Sequence, residues 1–167
     1  TSSDYTNSGY DRGHLCPAAD MAFNDTAMKE CFYMSNISPQ IDKFNQVIWK
    51  ALETQVREWA KEKDTLYIVT GPILTEFTDT IGVTNKIPVP KYFYKIILKY
   101  NGANTSAIAF IILNNSTTKP LNSFITTIDE VEKQTNIDFF PELPDNIENM
   151  IENSINVTFW NLAIIKE

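Results

Sequence analysis

The chain has 167 residues, of which 43% are hydrophobic and 12% aromatic. That is enough to bury one core, and a single domain over 1–167 is expected. Its longest apolar runs, Tyr92 to Leu98 and Ala107 to Leu113, are far shorter than the ~20 residues of a membrane-spanning helix, so no helical membrane span is expected. A net charge of −7 argues against non-specific coating of a polyanion, although a divalent cation and a few arginines can make a locally positive cleft on an acidic body.

Residues 1–13 are rich in Ser, Thr, Asn, Asp and Gly and read as an irregular lead-in ending at Gly13. A short helix is predicted from Asp25 or Thr26 to Phe32, followed by an extended piece from Tyr33 to Ile37. From Asp42 to Lys63, Phe44, Val47, Ile48, Ala51, Leu52, Val56, Trp59 and Ala60 repeat at the spacing of a buried helical face. Leu66 to Thr70, closed by Gly71 and Pro72, reads as a core strand. Tyr92 to Tyr100 and Ser106 to Asn114 flank Asn101-Gly102 and predict a hairpin. Thr127 or Asp129 can cap a helix through Thr135, and Asp145 another through about Ser154. No repeat or dividing linker is present, and the pattern predicts an α+β fold, an antiparallel sheet with helices packed on it.

The single histidine, His14, lies in Asp11-Arg12-Gly13-His14, where an acid, a permanent cation and a flexible glycine adjoin the imidazole. An imidazole suits proton transfer near neutral pH, but a lone His beside a turn is more often structural. Ser35-Asn36-Ile37-Ser38-Pro39-Gln40 forms a second cluster. Asn45, Trp49, Glu53 and Arg57 then recur every four residues beside the apolar face of the long helix. An ordinary reading of that stripe is a solvated edge with an intrahelical Glu53 to Arg57 pair. Trp49 and Trp59 are expected in the core rather than as stacking platforms. The two cysteines, Cys16 and Cys31, fit no zinc spacing, and two buried thiols are expected in preference to a disulfide.

The spacings resemble the DNA/RNA non-specific endonuclease family, the ββα-metal or His-Me finger nucleases. The resemblance runs through Tyr10-Asp11-Arg12-Gly13-His14-Leu15, Pro17-Ala18-Ala19-Asp20-Met21, Phe32 to Gln40, and Asn45-Gln46 with Trp49 and Leu52-Glu53. It continues in Thr70-Gly71-Pro72 and Asp138-Phe139-Phe140-Pro141. It implies His14 as general base, Asn45 as the one direct ligand of a hydrated Mg²⁺ (Mn²⁺ substituting), and Glu53 holding metal-bound water. It also implies Arg12 as a phosphate contact, Asn36 as the asparagine beside the catalytic histidine, Arg57 as a further basic residue, and Asp11 in support. Independently of the family, an eight-residue helical separation of ~12 Å along the axis prevents Asn45 and Glu53 from both binding one ion directly.

The resemblance further implies cleavage of DNA and RNA to 5′-phosphate products with slight sequence preference, and export to a secreted or periplasmic location. Family members usually carry sequence before the Asp-Arg-Gly-His motif, so the resemblance implies that this chain is part of a longer protein, or that it functions without that segment, or that another chain supplies it. An unpaired sheet edge would then make a homodimer conceivable, and an inhibitor protein is a further expected partner. Two alternatives stand beside the nuclease: a catalytically silent scaffold serving as a binding module, and a phosphodiesterase for small phosphate esters.

Overall fold

The computed structural model describes residues 1–162, apart from the side chain of Ala103. In chain order the elements are β1 (Asp11–His14), α1 (Asp25–Glu30), β2 (Ile37–Gln40), α2 (Lys50–Lys63), β3 (Tyr67–Pro72), β4 (Phe77–Ile81), β5 (Ile87–Pro90), β6 (Tyr92–Lys99), β7 (Ser106–Leu113), β8 (Ile125–Thr126), α3 (Ile128–Thr135) and α4 (Asp145–Asn153). The expected hairpin is β6–β7, and its two apolar runs form the centre of a four-stranded antiparallel sheet ordered β3-β6-β7-β8. Successive strand residues face opposite sides, so runs without polar alternation mean that both faces are covered. One face, with Phe93, Ile97, Ile108, Phe110 and Ile112, packs on Ile48, Trp49, Leu52, Val56 and Trp59 from the long helix. The other, with Tyr94, Ile96, Leu98, Ala107 and Ala109, packs on Ile128, Val131 and Ile151 from α3 and α4. The predicted α+β class is therefore a three-layer arrangement, and Trp49 and Trp59 are core residues as expected.

The chain also departs from the predicted elements, for identifiable reasons. The lead-in is not wholly irregular: Ser2–Tyr5 form a 3₁₀ turn, and Asp11–His14 are a strand that pairs with β2. Its polar composition hid a strand half-exposed along its length. The short helix begins after Asn24, whose side chain accepts the amides of Thr26 and Ala27, and it ends at Glu30. The piece from Tyr33 to Ile37 is a 3₁₀ turn at Met34–Asn36 running into β2. β3 is an edge strand with Tyr67 and Ile68 exposed, rather than a core strand. The β4–β5 hairpin was not predicted; it buries Ile81 and Val89 against Tyr5 in a small separate cluster. Thr127 caps α3 as expected, whereas Pro144 occupies the cap of α4 and Asp145 is its first residue.

The long helix opens with a π turn, Phe44–Trp49, before becoming α-helical. The extra residue in that turn carries Val47 outward, to 57% exposure, and brings Phe44 and Trp49 inward to stack at 5.3 Å. A regular 3.6-residue repeat had placed Val47 and Ala51 on the buried face. At the far end of β7, buried Asn114 ties distant segments together: its Oδ1 accepts the Ile41 amide at 2.9 Å, and its Nδ2 donates to Pro39 O at 3.2 Å and Pro90 O at 3.0 Å. Among the described residues no helix is long and apolar enough to cross a membrane, and Cys16 and Cys31 are both free thiols. Residues 163–167 of the expected single domain lie outside the described residues.

Acidic side chains of α3, α4 and the segment between them crowd together: Asp129, Glu132 and Glu152 form one group, and Asp138, Glu148 and Glu152 another. Burial, reinforced by Glu132, Glu148, Asp129 and Asp138, raises the Glu152 carboxyl from 4.5 to about 7. A raised carboxyl contributes stability in its protonated form, present below its ordinary pKa and lost as pH rises through about 7. Glu152→Gln is therefore expected to raise the melting temperature at pH 8 and leave it nearly unchanged at pH 5. Equal shifts in thermal melts at both pH values would contradict this coupling.

Candidate active site

β1 and β2 pair with Asp11 opposite Gln40, Gly13 opposite Ser38 and His14 opposite Ile37, forming a short hairpin-like finger. Gly13 serves space rather than flexibility: a Cβ there would lie 2.1 Å from the Cδ and Oε1 of Gln40, whose side chain is fully buried across it. Past the strand, the Leu15 amide donates to Asn36 O at 3.0 Å. The Asn36 side chain accepts from the Cys16 amide and donates to Cys16 O and Cys31 O, at 2.8–2.9 Å. With these three bonds the Asn36 amide is committed to holding the loop after His14 against the end of α1.

His14 is half-buried, with its ring edge-on to Phe32 at 4.7 Å. Its Nε2 is sealed and has no hydrogen-bond partner among the described residues, which leaves Nδ1 as the nitrogen available toward the cavity that His14 lines. Burial, then the neighbouring Arg12 charge, hold its pKa below 6.5, so the imidazole is neutral and able to accept a proton at pH 7. Arg12 is exposed and donates to Ser2 Oγ at 2.8 Å.

At the head of the long helix, Asn45 Nδ2 donates to Asp11 Oδ2 at 2.8 Å, and Gln46 Nε2 reaches the same oxygen at 3.3 Å. That contact fixes the orientation of the Asn45 amide and leaves its Oδ1 without a hydrogen-bond partner among the described residues. In a regular α-helix, residues eight apart are offset by about 80° around the axis. The i→i+5 turn rotates less per residue, which takes out part of that offset and brings Asn45 and Glu53 toward one line. Both side chains line a cavity of 240 Å³ together with His14, Lys50 and Arg57. A second cavity of 520 Å³ continues from it on the other side of His14 and Asn45, with Arg12, Phe32 and Gln46 in its walls.

Arg57 does not make the intrahelical pair with Glu53 that the ordinary reading of the stripe supposed. It bonds Asp20 Oδ1 and Thr54 Oγ1, each at 3.0 Å. Burial raises the Glu53 carboxyl to about 6, against the lowering effect of Lys95 and Arg57. The predicted residues His14, Asn45, Glu53 and Arg57 thus meet at one cavity, Arg12 lies in the adjoining one, and Asn36 stands behind them as a clamp. Sequence reasoning gave no role to Phe32 and Asp20, although both fall in the family motifs, and passed over Lys50 and Lys95. Of the two lysines only Lys95 left a signal, a cation in the interior of an otherwise apolar run.

A free amide oxygen and a carboxylate able to act through water form the hard-oxygen donor set that a largely hydrated divalent cation takes. The charge balance also ceases to be an objection. Residues 128–153 carry eight Asp or Glu and one Lys, a net of −7 equal to that of the whole chain, so the remainder is neutral overall. α3 and α4 pack on the sheet face opposite the long helix.

A two-stranded finger bearing an imidazole, laid against the head of a helix that offers an amide oxygen, is the ββα-metal arrangement of a nuclease fold. Residues 1–146 match the DNA/RNA non-specific endonuclease family, and the chain belongs to it. Nuclease C1 of Cunninghamella echinulata var. echinulata is 37% identical over 155 residues, covering 86% of this chain and 62% of that protein. Mitochondrial endonuclease G of Homo sapiens is 31% identical over 155 residues, covering 86% and 52%. Among solved structures, the crystal structure of the EndoG/EndoGI complex, titled for the mechanism of EndoG inhibition, superposes with a TM-score of 0.79 at 29% identity, covering 86% of this chain and 64% of that one. The chain therefore spans from about two-fifths to under two-thirds of the length of the curated relatives it matches. The expectation of a secreted or periplasmic protein is corrected here: relatives including human endonuclease G are named as mitochondrial. Nothing in the residues of the site encodes a compartment, so that expectation had no physical support.

The Gly13–Gln40 contact yields a stability test. Gly13→Ala is expected to destabilise the fold by about 1–3 kcal/mol, because a buried Gln40 has no free space to swing into. An unchanged urea midpoint would show that the contact is slack.

Proposed function

We propose that this chain is the catalytic part of a divalent-metal-dependent endonuclease that hydrolyses DNA and RNA with little sequence preference, leaving 5′-phosphates. The observation that carries this reading is that His14 and Asn45 line the same cavities, with Glu53 in the wall of one of them. Mg²⁺, or Mn²⁺ in its place, would be held directly by Asn45 Oδ1 and through water by Glu53. When bound, it supplies Lewis-acid stabilisation of negative charge on the phosphoryl and leaving oxygens.

The chain's own residues divide the remaining work. His14 Nδ1 takes a proton from the attacking water, which its depressed pKa permits at neutral pH. Asp11 orients the Asn45 amide, and Asn36 fixes the loop that follows the imidazole. Arg12 offsets charge developing on the phosphate. The cavity beside His14 continues past Lys50 and Arg57 on one side and past Arg12 and Phe32 on the other, which suits a strand lying across the finger. The proposed hydrolysis makes no use of a ribose 2′-hydroxyl, so one site can serve both sugars. Similarity to mitochondrial endonuclease G supports a mitochondrial nuclease, and the EndoG/EndoGI complex supports an inhibitor protein as a partner.

His14→Ala is expected to lower divalent-dependent plasmid nicking by about 10²–10⁴-fold with the fold intact, whereas undiminished nicking would remove the assigned base. Because the His14 pKa is lowered, its neutral form persists to more acidic pH, so the acid limb of kcat/KM should have its midpoint below 6.5. A midpoint clearly above that value would mean that another group titrates. Wild-type protein that shows no Mg²⁺-dependent nicking at high concentration would instead identify a silent scaffold.

A further inference from the structure

We propose that Lys95 is a positioning residue of the metal site, the fixed countercharge that holds Glu53 in the wall facing Asn45 and His14. This rests on the endonuclease reading above and adds a residue from a different part of the fold. On β6, Lys95 alternates with Phe93 and Ile97 and so faces the long helix, at 2% exposure. A cation in that row is costly unless an opposite charge faces it. Its Nζ donates to Thr70 Oγ1 at 2.7 Å, on the residue paired with it across β3, and lies 4.9 Å from the centre of the Trp49 ring. Trp49 is one helical turn before Glu53.

Lys95, Thr70 and Glu53 line one cavity of 440 Å³. Glu53 also lines the 240 Å³ cavity with His14 and Asn45. Its side chain is therefore shared between a chamber holding the buried ammonium and a chamber holding the proposed metal ligand. The other charged or titratable groups near Lys95 are Asp20, Cys16 and Arg57. Arg57 is already engaged by Asp20, so its charge is partly offset there. The electrostatics agree with the geometry. Burial lowers Lys95 to about 8, and among the charges near it Glu53 most opposes this, although the two groups make no direct ion pair and face each other across the shared chamber.

Equilibrium binding of Mn²⁺ to metal-free protein, read from the free-ion electron paramagnetic resonance signal, tests the proposal alongside plasmid cleavage. Lys95→Met is expected to weaken Mn²⁺ binding about tenfold, the lower end for losing an outer-shell partner, and to lower kcat with little change in KM for DNA. Acting through Glu53, it should add nothing further in the Lys95→Met/Glu53→Gln double variant, which should bind as Glu53→Gln alone does. Should Lys95→Met fail to fold, Lys95→Gln carries the same comparison. Unchanged Mn²⁺ affinity, or losses that simply add in the double variant, would overturn the role of Lys95 while leaving the nuclease reading intact. Absence of both Mn²⁺ binding and cleavage in the wild type would overturn both.

Discussion

The site depends on one hydrogen bond, from the Asn45 amide nitrogen to the Asp11 carboxylate. A bond to an ionised acceptor is stronger than a neutral one, and here it joins the finger to the helix while fixing which atom of the amide faces the cavity. Without it Asn45 could rotate, and only the longer Gln46 contact would join the finger to the helix head through Asp11. Gln46 reaching the same carboxylate braces the contact. The π turn completes the alignment by drawing Glu53 toward the line of Asn45, so an irregularity in the helix becomes part of the site's geometry.

Charge is distributed in keeping with this arrangement. The helices on one side of the sheet carry the acidic excess, while the other side gathers Arg12, Lys50, Arg57 and Lys95 around the finger. The sheet, buried on both faces, separates the two populations of charge by an apolar layer. An overall negative chain can therefore present a neutral or positive cleft to a polyanion, with attraction depending on local rather than net charge.

Much of this was legible in the sequence because it rests on local rules. The β6–β7 hairpin announced itself by two apolar runs around Asn101-Gly102, and the long helix by its buried face. The grouping of His14, Asn45, Glu53 and Arg57 came from motif spacing rather than from physics that the sequence alone could supply. What escaped detection was set by tertiary contact. Periodicity cannot announce a π turn, so Val47 was turned the wrong way. The exposure of β3 depends on its place in the sheet order, and β4–β5 has too few buried residues for its pattern to stand out. Gly13 was read as a flexible glycine because its neighbour in space, Gln40, is distant in sequence. Lys95 was read as part of an apolar run when it is that run's exception.

Asn114 shows how far the site extends beyond its motif. The signature residues of the finger and the helix head, Asp11 to Glu53, lie within the first third of the chain, yet Pro39 and Ile41, on either side of the glutamine packed over Gly13, are tied to an amide at the far end of β7. An excised peptide carrying the whole signature would lack this anchor and the sheet face that receives Phe44 and Trp49. The motif can be recognised as a continuous stretch of text, but it could not be transplanted as one: a host scaffold would have to supply both the strand end and the apolar bed on which the finger rests.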